Sequence, residues 1–182
     1  MDKKKKTEEF TITGLLTALA IVIPMIMPVK VLIPPFTATL ASHLPLIISM
    51  FISPFSALIT AIGSAIGFFV SISPIVGARA ATHVFFTVAG AYMIKNNRSI
   101  VSVLPVTLIL HSVSDMLIVY IFASAFGMSN LLNGNSIGYV MWVIGIGTSI
   151  HHIVDFALAI PIINILYKAK FLDYKITLKR EN

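Results

Sequence analysis

The sequence contains no cysteine, which excludes disulfides and thiolate metal sites and leaves the redox compartment unreadable. Charge is the next scarcity. Charged residues make up 11% of the chain, against about 25% in an ordinary soluble domain. Of thirteen basic and seven acidic residues, only six lie between Phe10 and Tyr167: Lys30, Arg79, Lys95, Arg98, Asp115 and Asp155. The rest crowd the ends, as Asp2 to Glu9 and Lys168 to Glu181. There is no Walker A glycine loop, so the chain does not hydrolyse ATP by that route, and neither H-E-x-x-H nor G-x-S-x-G occurs. No paired set of interrupted helices marks a self-sufficient secondary transporter.

What is present is hydrocarbon. Hydrophobic residues are 57% of the 182, and the mean hydropathy is +0.95. A charge at the centre of a spanning helix costs roughly 2.5–3.5 kcal/mol, so a polypeptide of this pattern belongs in a bilayer and its few internal charges need a reason. At about 20 residues per span the length accommodates about six spans and no separate soluble domain. The expected organisation is one membrane domain over residues 1–182, with tails at 1–9 and 168–182 and six spans within 10–167. The net charge of +6 does not point to nucleic acid, because the basic residues flank apolar runs; their natural counterpart is the anionic face of a bilayer. The stretch Lys3 to Met27 superficially resembles a secretory signal, but Pro24-Met25-Ile26-Met27-Pro28 offers no small-x-small cleavage site, so a retained first helix is expected.

Proline and polar clusters set the boundaries. The expected spans are 11–27, 37–52, 55–72, 76–94, 100–126 and 137–167, separated by the Pro28–Pro35 connection, Ser53-Pro54, Ser73-Pro74, Lys95-Asn96-Asn97-Arg98 and the loop Gly127 to Asn135. The second and third are short, and carry Pro45 and the Gly63/Gly67 pair. An even number of spans puts both termini on one side. That side also holds the Lys95/Arg98 turn, so the positive-inside rule places the termini in the cytoplasm of an all-α, six-helix bundle.

Three groups of residues inside this frame can carry chemistry. The first is a histidine four residues before an aspartate, twice: His111/Asp115 in span five and His151/Asp155 in span six, with His152 beside the latter. The i,i+4 spacing places each pair on one helix face. Such pairs lock helices together by buried hydrogen bonds, or touch a substrate, or relay protons; the four groups suffice for a metal, although spacing alone fixes no distance between the helices. The second group lies toward the outer surface: Arg79, His83 a turn deeper, His43 at similar depth, and Lys30 in the first outer loop. Together they suit a carboxylate or a ring nitrogen, although Arg79 can equally snorkel to headgroups and the histidines can equally pair between helices. Tyr139 and Trp142 open the last span, as an interfacial belt or as a stacking platform. The amide-rich Ser129 to Asn135 loop is a lid or a connector. The third group is a face of small residues, Gly14 and Ala18 in span one with Gly63 and Gly67 in span three, which serves packing within the chain or the seating of a partner's helix.

These features together resemble the substrate-binding S components of energy-coupling factor (ECF) vitamin importers. The resemblance covers nearly the whole chain. It is carried by the basic N-terminus, by Thr13-Gly14-Leu15-Leu16-Thr17-Ala18-Leu19-Ala20, by the Pro-rich first outer loop, and by Ala41-Ser42-His43-Leu44-Pro45. Met50-Phe51-Ile52-Ser53-Pro54, Gly63-Ser64-Ala65-Ile66-Gly67-Phe68-Phe69 and Arg79-Ala80-Ala81-Thr82-His83 complete it. The family implies high-affinity binding of one vitamin in an outward pocket built from helices four to six and capped by the first outer loop, here Lys30 to Phe36. It implies docking of helices one to three, at the position of Gly14 and Ala18, on a transmembrane coupling subunit attached to two ATPases, in a bacterial cell membrane, with toppling of the S component during transport. It implies no enzymatic activity, no cofactor and no resident metal.

The substrate class follows from chemistry alone. Arg79 and His83 suit a carboxylate, and the Asp/His pairs suit ring nitrogens or hydroxyls. Few aromatics and no large polar cluster argue against a bulky ligand. Expected substrate contacts are Arg79, His83, His43, Lys30, Asp115, His151, Tyr139 and Trp142, for a vitamin of pyridine or pyrimidine size such as niacin, pyridoxine or hydroxymethylpyrimidine. The competing class is an integral-membrane enzyme or sensor using the His111/Asp115 and His151/Asp155 pairs.

Overall fold

A computed structural model describes residues 3–33, 36–125 and 136–172. The order is α1 (Lys3–Ile26), β1 (Lys30–Ile33), β2 (Phe36–Thr39), α2 (Leu44–Met50), α3 (Pro54–Ser71), α4 (Pro74–Ala81), α5 (His83–Lys95), α6 (Ile100–Ala125) and α7 (Ile137–Lys168). Four helices, α1, α3, α6 and α7, are long and apolar enough to cross a membrane. Large apolar side chains such as Leu15, Val70, Ile109, Trp142 and Ile165 lie exposed on them. In water this would be unfavourable; in lipid it is the expected outer surface. The Ser129–Asn135 loop and the basic residues from Lys175 onward lie outside the described residues.

The Ser-Pro punctuation works as read. Ser53 and Ser73 are N-caps whose hydroxyls accept the backbone N–H of Ser56 (3.1 Å) and Val76 (3.4 Å), with Pro54 and Pro74 opening α3 and α4 where a missing N–H costs nothing. Ser136 caps α7 likewise through Tyr139 N at 3.3 Å.

Two expectations need correction. Residues 37–52 are not one helix: Phe36–Thr39 pair antiparallel with Lys30–Ile33 as a hairpin, and only the seven residues of α2 are helical. At 1.5 Å per residue, α2 is about 10 Å long and cannot cross a bilayer. The reason is local: Ala41 sits at φ 66° and Pro45 opens the helix, so the chain turns sharply before α2 can begin. The expected span 76–94 is likewise two pieces, α4 and α5, joined at Thr82. At the other end α1 begins at Lys3, drawing the basic run into the helix.

The glycines of α3 explain how α1 is seated. A Cβ on Gly63 would lie 2.6 Å from Thr17 Cγ2, and one on Gly67 would lie 2.5 Å from the Ile21 carbonyl oxygen, so α1 rests directly on the α3 backbone. Thr13 and Ser56 hydroxyls meet at 2.6 Å across the same seam. Gly14 and Ala18 face outward.

One apolar cluster gathers Leu46, Ile47, Met50, Phe86, Val103, Phe156, Ala159 and Ile163. A smaller one gathers Phe36, Val119, Val140 and Ile144. A buried polar layer lies between Phe86 and Phe156 of the first and Phe36 of the second.

Candidate functional site

The breaks in the fold position this layer. The turn before α2 brings in Ser42 and His43; the joint between α4 and α5 brings in Arg79, Thr82 and His83; α6 supplies His111 and Asp115; α7 supplies Thr148, His151, His152 and Asp155. All five histidines of the sequence meet here. His43 is central, with ring centroids at 4.7 Å from His83, 4.7 Å from His111 and 4.5 Å from His151.

The i,i+4 pairs are not the operative pairings. His111 Nε2 is 3.8 Å from Asp115 and His151 Nε2 is 3.6 Å from Asp155, both beyond hydrogen-bond range. Each carboxylate is instead held by distant segments. Asp115 Oδ2 accepts Arg79 Nη2 at 2.8 Å, Arg79 Nε at 3.2 Å and Thr148 Oγ1 at 2.9 Å, while Oδ1 accepts Thr82 Oγ1 at 3.4 Å. Asp155 accepts the backbone N–H of Ala41 on Oδ1 and of His43 on Oδ2, both at 2.9 Å, with His43 Nδ1 3.1 Å from Oδ2. Those two N–H groups flank a left-handed residue and form an anion-holding concavity, so α7 pins the turn that carries His43.

A hydrogen-bond chain sets the face that His111 presents. Thr107 Oγ1 donates its single proton within its own helix, to Val103 O at 3.0 Å or Leu104 O at 3.1 Å. With its proton so placed, it accepts from His152 Nε2, 3.1 Å away. His152 Nδ1 is left as an acceptor for His111 Nδ1–H at 3.2 Å. This order of protons places one on His111 Nδ1 and a lone pair on Nε2; the opposite order, with Thr107 donating to His152, reverses both.

These groups border a cavity lined by Thr37, Ser42, His43, Phe68, Arg79, His83, His111, Asp115, Thr148 and His151, among others. It holds about 330 Å³ of atom-free space, of which about 30 Å³ admits the centre of a water molecule. Small-molecule sites run from roughly 300 to 1,000 Å³; the comparable figure here is the 30 Å³, so the space is contracted and has to widen to admit a ligand. Arg79 keeps donors beyond those given to Asp115, since its Nη1 makes only a 3.5 Å contact to Thr37 Oγ1.

Five of the eight expected substrate contacts, Arg79, His83, His43, Asp115 and His151, line this cavity. Three do not. Lys30 turns back to donate to the Pro24 carbonyl at 3.0 Å, satisfying an orphan acceptor near the C-terminus of α1. Tyr139 and Trp142 are 52% and 70% exposed and line a separate apolar groove with Val31, Ile33 and Ile150. Phe36 stands at that groove and under the Arg79 guanidinium, 5.8 Å from the ring centroid. Its ring fills the notch left by Gly147, where a Cβ would come within 2.7 Å. Sequence reasoning missed Phe36, Thr37, Ser42 and Thr148. Thr148, two turns before Asp155 and one residue past Gly147, left a faint signal as a hydroxyl on a helix already known to be polar inside.

A membrane-embedded helical protein with a small cavity lined by buried charged and imidazole side chains is of the kind that binds and carries a small solute. The chain is 36% identical over 179 residues to the niacin transporter NiaX of Lactococcus lactis subsp. cremoris (strain MG1363), covering 94% of this chain and 80% of that one. No family model matches it, and no solved structure does. The chain belongs to the family of that vitamin transporter, the S components of ECF transporters.

Proposed function

We propose that this protein is the high-affinity niacin-binding S component of an ECF-type importer in a bacterial cell membrane. The reading is carried by the lining of the cavity: a guanidinium and a set of imidazoles, groups suited to a carboxylate and an aromatic ring, converge on one space. The relative's name supports the same choice among the pyridine and pyrimidine vitamins. In this account Arg79 receives the carboxylate, a bidentate anion matched to a planar guanidinium. The imidazoles of His43, His83, His111 and His151 surround the ring, and Asp115 and Thr148 hold Arg79 in place. The chain acts as one membrane domain with six crossings, counting the composite segment of β2, the turn and α2 as one and the α4–α5 pair as another, and with both termini cytoplasmic. Delivery requires a coupling subunit powered by two ATPases. Gly14 and Ala18, on the open face of α1, are the docking positions, since Gly63 and Gly67 are occupied by α1 itself. The protein binds its ligand unchanged.

Equilibrium binding to the purified protein tests this. Niacin is expected to bind more tightly than nicotinamide, pyridoxine or hydroxymethylpyrimidine, because only niacin offers Arg79 an aromatic carboxylate. Equal affinity for niacin and nicotinamide would refute the Arg79 assignment. Copurification of a membrane subunit with two ATPases tests the coupling.

A further inference from the structure

We propose that His43, His83 and His111 bind one divalent transition-metal ion, and that niacin completes its coordination through the ring nitrogen. The second half rests on the niacin reading above; the first does not.

One ring nitrogen from each of the three histidines lies within 4.8 Å of the others. Nitrogens bound to zinc at about 2.0–2.1 Å stand roughly 3.4 Å apart in a tetrahedron, so modest ring rotations close the site. The surroundings match what metal-ligating imidazoles require. Such a histidine has its second nitrogen held by a carboxylate, a carbonyl or another fixed group. Asp155 Oδ2 lies 3.1 Å from His43 Nδ1, which has no hydrogen-bond partner as the ring stands and gains this one on a small rotation, and His111 Nδ1 is 3.2 Å from His152 Nδ1, so its Nε2 is the nitrogen left for a metal. His83 provides an independent sign. It is 5% exposed, its Nδ1 is buried without a hydrogen-bond partner, and its ring is 4.7 Å from His43 and 4.8 Å from His111. A buried orphan nitrogen is costly, and a metal ion removes that cost. His151 and Asp155 also approach His43 closely enough to be considered. Both Asp155 oxygens, however, are engaged by Ala41 and His43 N–H, so Asp155 orients a ligand instead of serving as one.

Charge points the same way. With neutral imidazoles, the layer holds Arg79 against Asp115 and Asp155, a net single negative charge that a niacin carboxylate would double in a low-dielectric setting. A divalent ion cancels it. Three imidazoles with an open position select zinc, cobalt or nickel over magnesium or calcium. His43, His83, His111 and Arg79 all line one cavity, so a pyridine carboxylate entering it can meet the metal with one end and the guanidinium with the other.

The experiment uses protein purified without a histidine tag, stripped with chelator and reloaded with Co²⁺, whose visible spectrum reports coordination. One Co²⁺ per chain with a four- or five-coordinate band is expected. The band should vanish in His83→Ala and His111→Ala, checked for folding by elution volume and helicity, with His83→Gln used if the alanine variant does not fold. Asp155→Asn should weaken Co²⁺ about 10–100-fold. Added niacin should shift the band, and labelled niacin should bind at least tenfold more weakly to the stripped protein than to the reloaded one. Unchanged niacin binding after stripping, with no Co²⁺ band, overturns the metal site and leaves the niacin reading standing. A stoichiometric Co²⁺ site lost in both histidine variants, in a protein that binds no niacin, upholds the metal site and overturns that reading. Co²⁺ retained in both histidine variants overturns the assignment of ligands.

Discussion

Arg79 grips a single oxygen of Asp115 with two nitrogens, Nη2 at 2.8 Å and Nε at 3.2 Å, and both side chains are buried. Each charge loses its hydration on burial, so the pair is tolerable only while both members remain. Asp115→Ala should therefore lower stability by about 3–5 kcal/mol, because it strands the guanidinium. The double variant Arg79→Met/Asp115→Leu should recover most of that loss while abolishing anion binding. Denaturation in detergent checks both; a single variant as stable as the double would contradict the pairing.

Asp155 does a different job. Asp155→Ala frees the N–H groups of Ala41 and His43, at about 1–3 kcal/mol for each buried orphan. Amide exchange at residues 41–43 should accelerate, while exchange in α3 and α6 stays slow. Uniform acceleration across the molecule would mean that Asp155 supports the whole bundle and not the turn.

Replacing Arg79 by lysine keeps the charge and loses the planar fork. Niacin affinity should fall at least about tenfold in Arg79→Lys, the cost of one charge-assisted hydrogen bond. Titration with labelled niacin measures it, and an affinity within twofold of the parent would show that a point charge suffices.

The two small-residue pairs, Gly63/Gly67 and Gly14/Ala18, should separate folding from docking. Gly67→Leu forces a side chain into the α1 backbone and should yield misfolded or poorly recovered protein. Gly14 has nothing within 4 Å of its would-be Cβ, so Gly14→Leu should fold and bind niacin normally yet lose the coupling subunit in copurification. Unimpaired assembly of Gly14→Leu would move the docking face elsewhere.

Trp142→Ala should leave niacin affinity within twofold, because the indole is 70% exposed and lines the outer groove, away from the polar cavity. A larger loss would give the groove a part in binding.

The membrane character, the positions of the long helices and the charged and imidazole side chains of the cavity were legible because each leaves a local mark. Charge is costly in lipid, Ser-Pro caps a helix, and a buried histidine or arginine among apolar residues stands out. Partner choice was not legible. His111/Asp115 and His151/Asp155 have helical spacing, but the partners that hold the carboxylates are Arg79, Thr148 and the backbone of Ala41 and His43, and only packing brings those near. The broken second segment was hidden for a related reason. Phe36 to Ile52 carries no charged residue and is mostly apolar, and hydropathy does not distinguish a strand, a turn and a short helix from one long helix. Lys30 misled because its charge suggested an anion, whereas a helix end had first claim on it.

The seat of Phe36 in the notch of Gly147 carries a kinetic consequence. The ring lies beside Arg79 and along the outer groove, so a solute taking the route between the two has to displace it. How long a ligand stays is then set by how firmly one benzene ring sits on one missing methyl group. Gly147→Ala, by unseating it, would make a leakier gate from an unchanged lock.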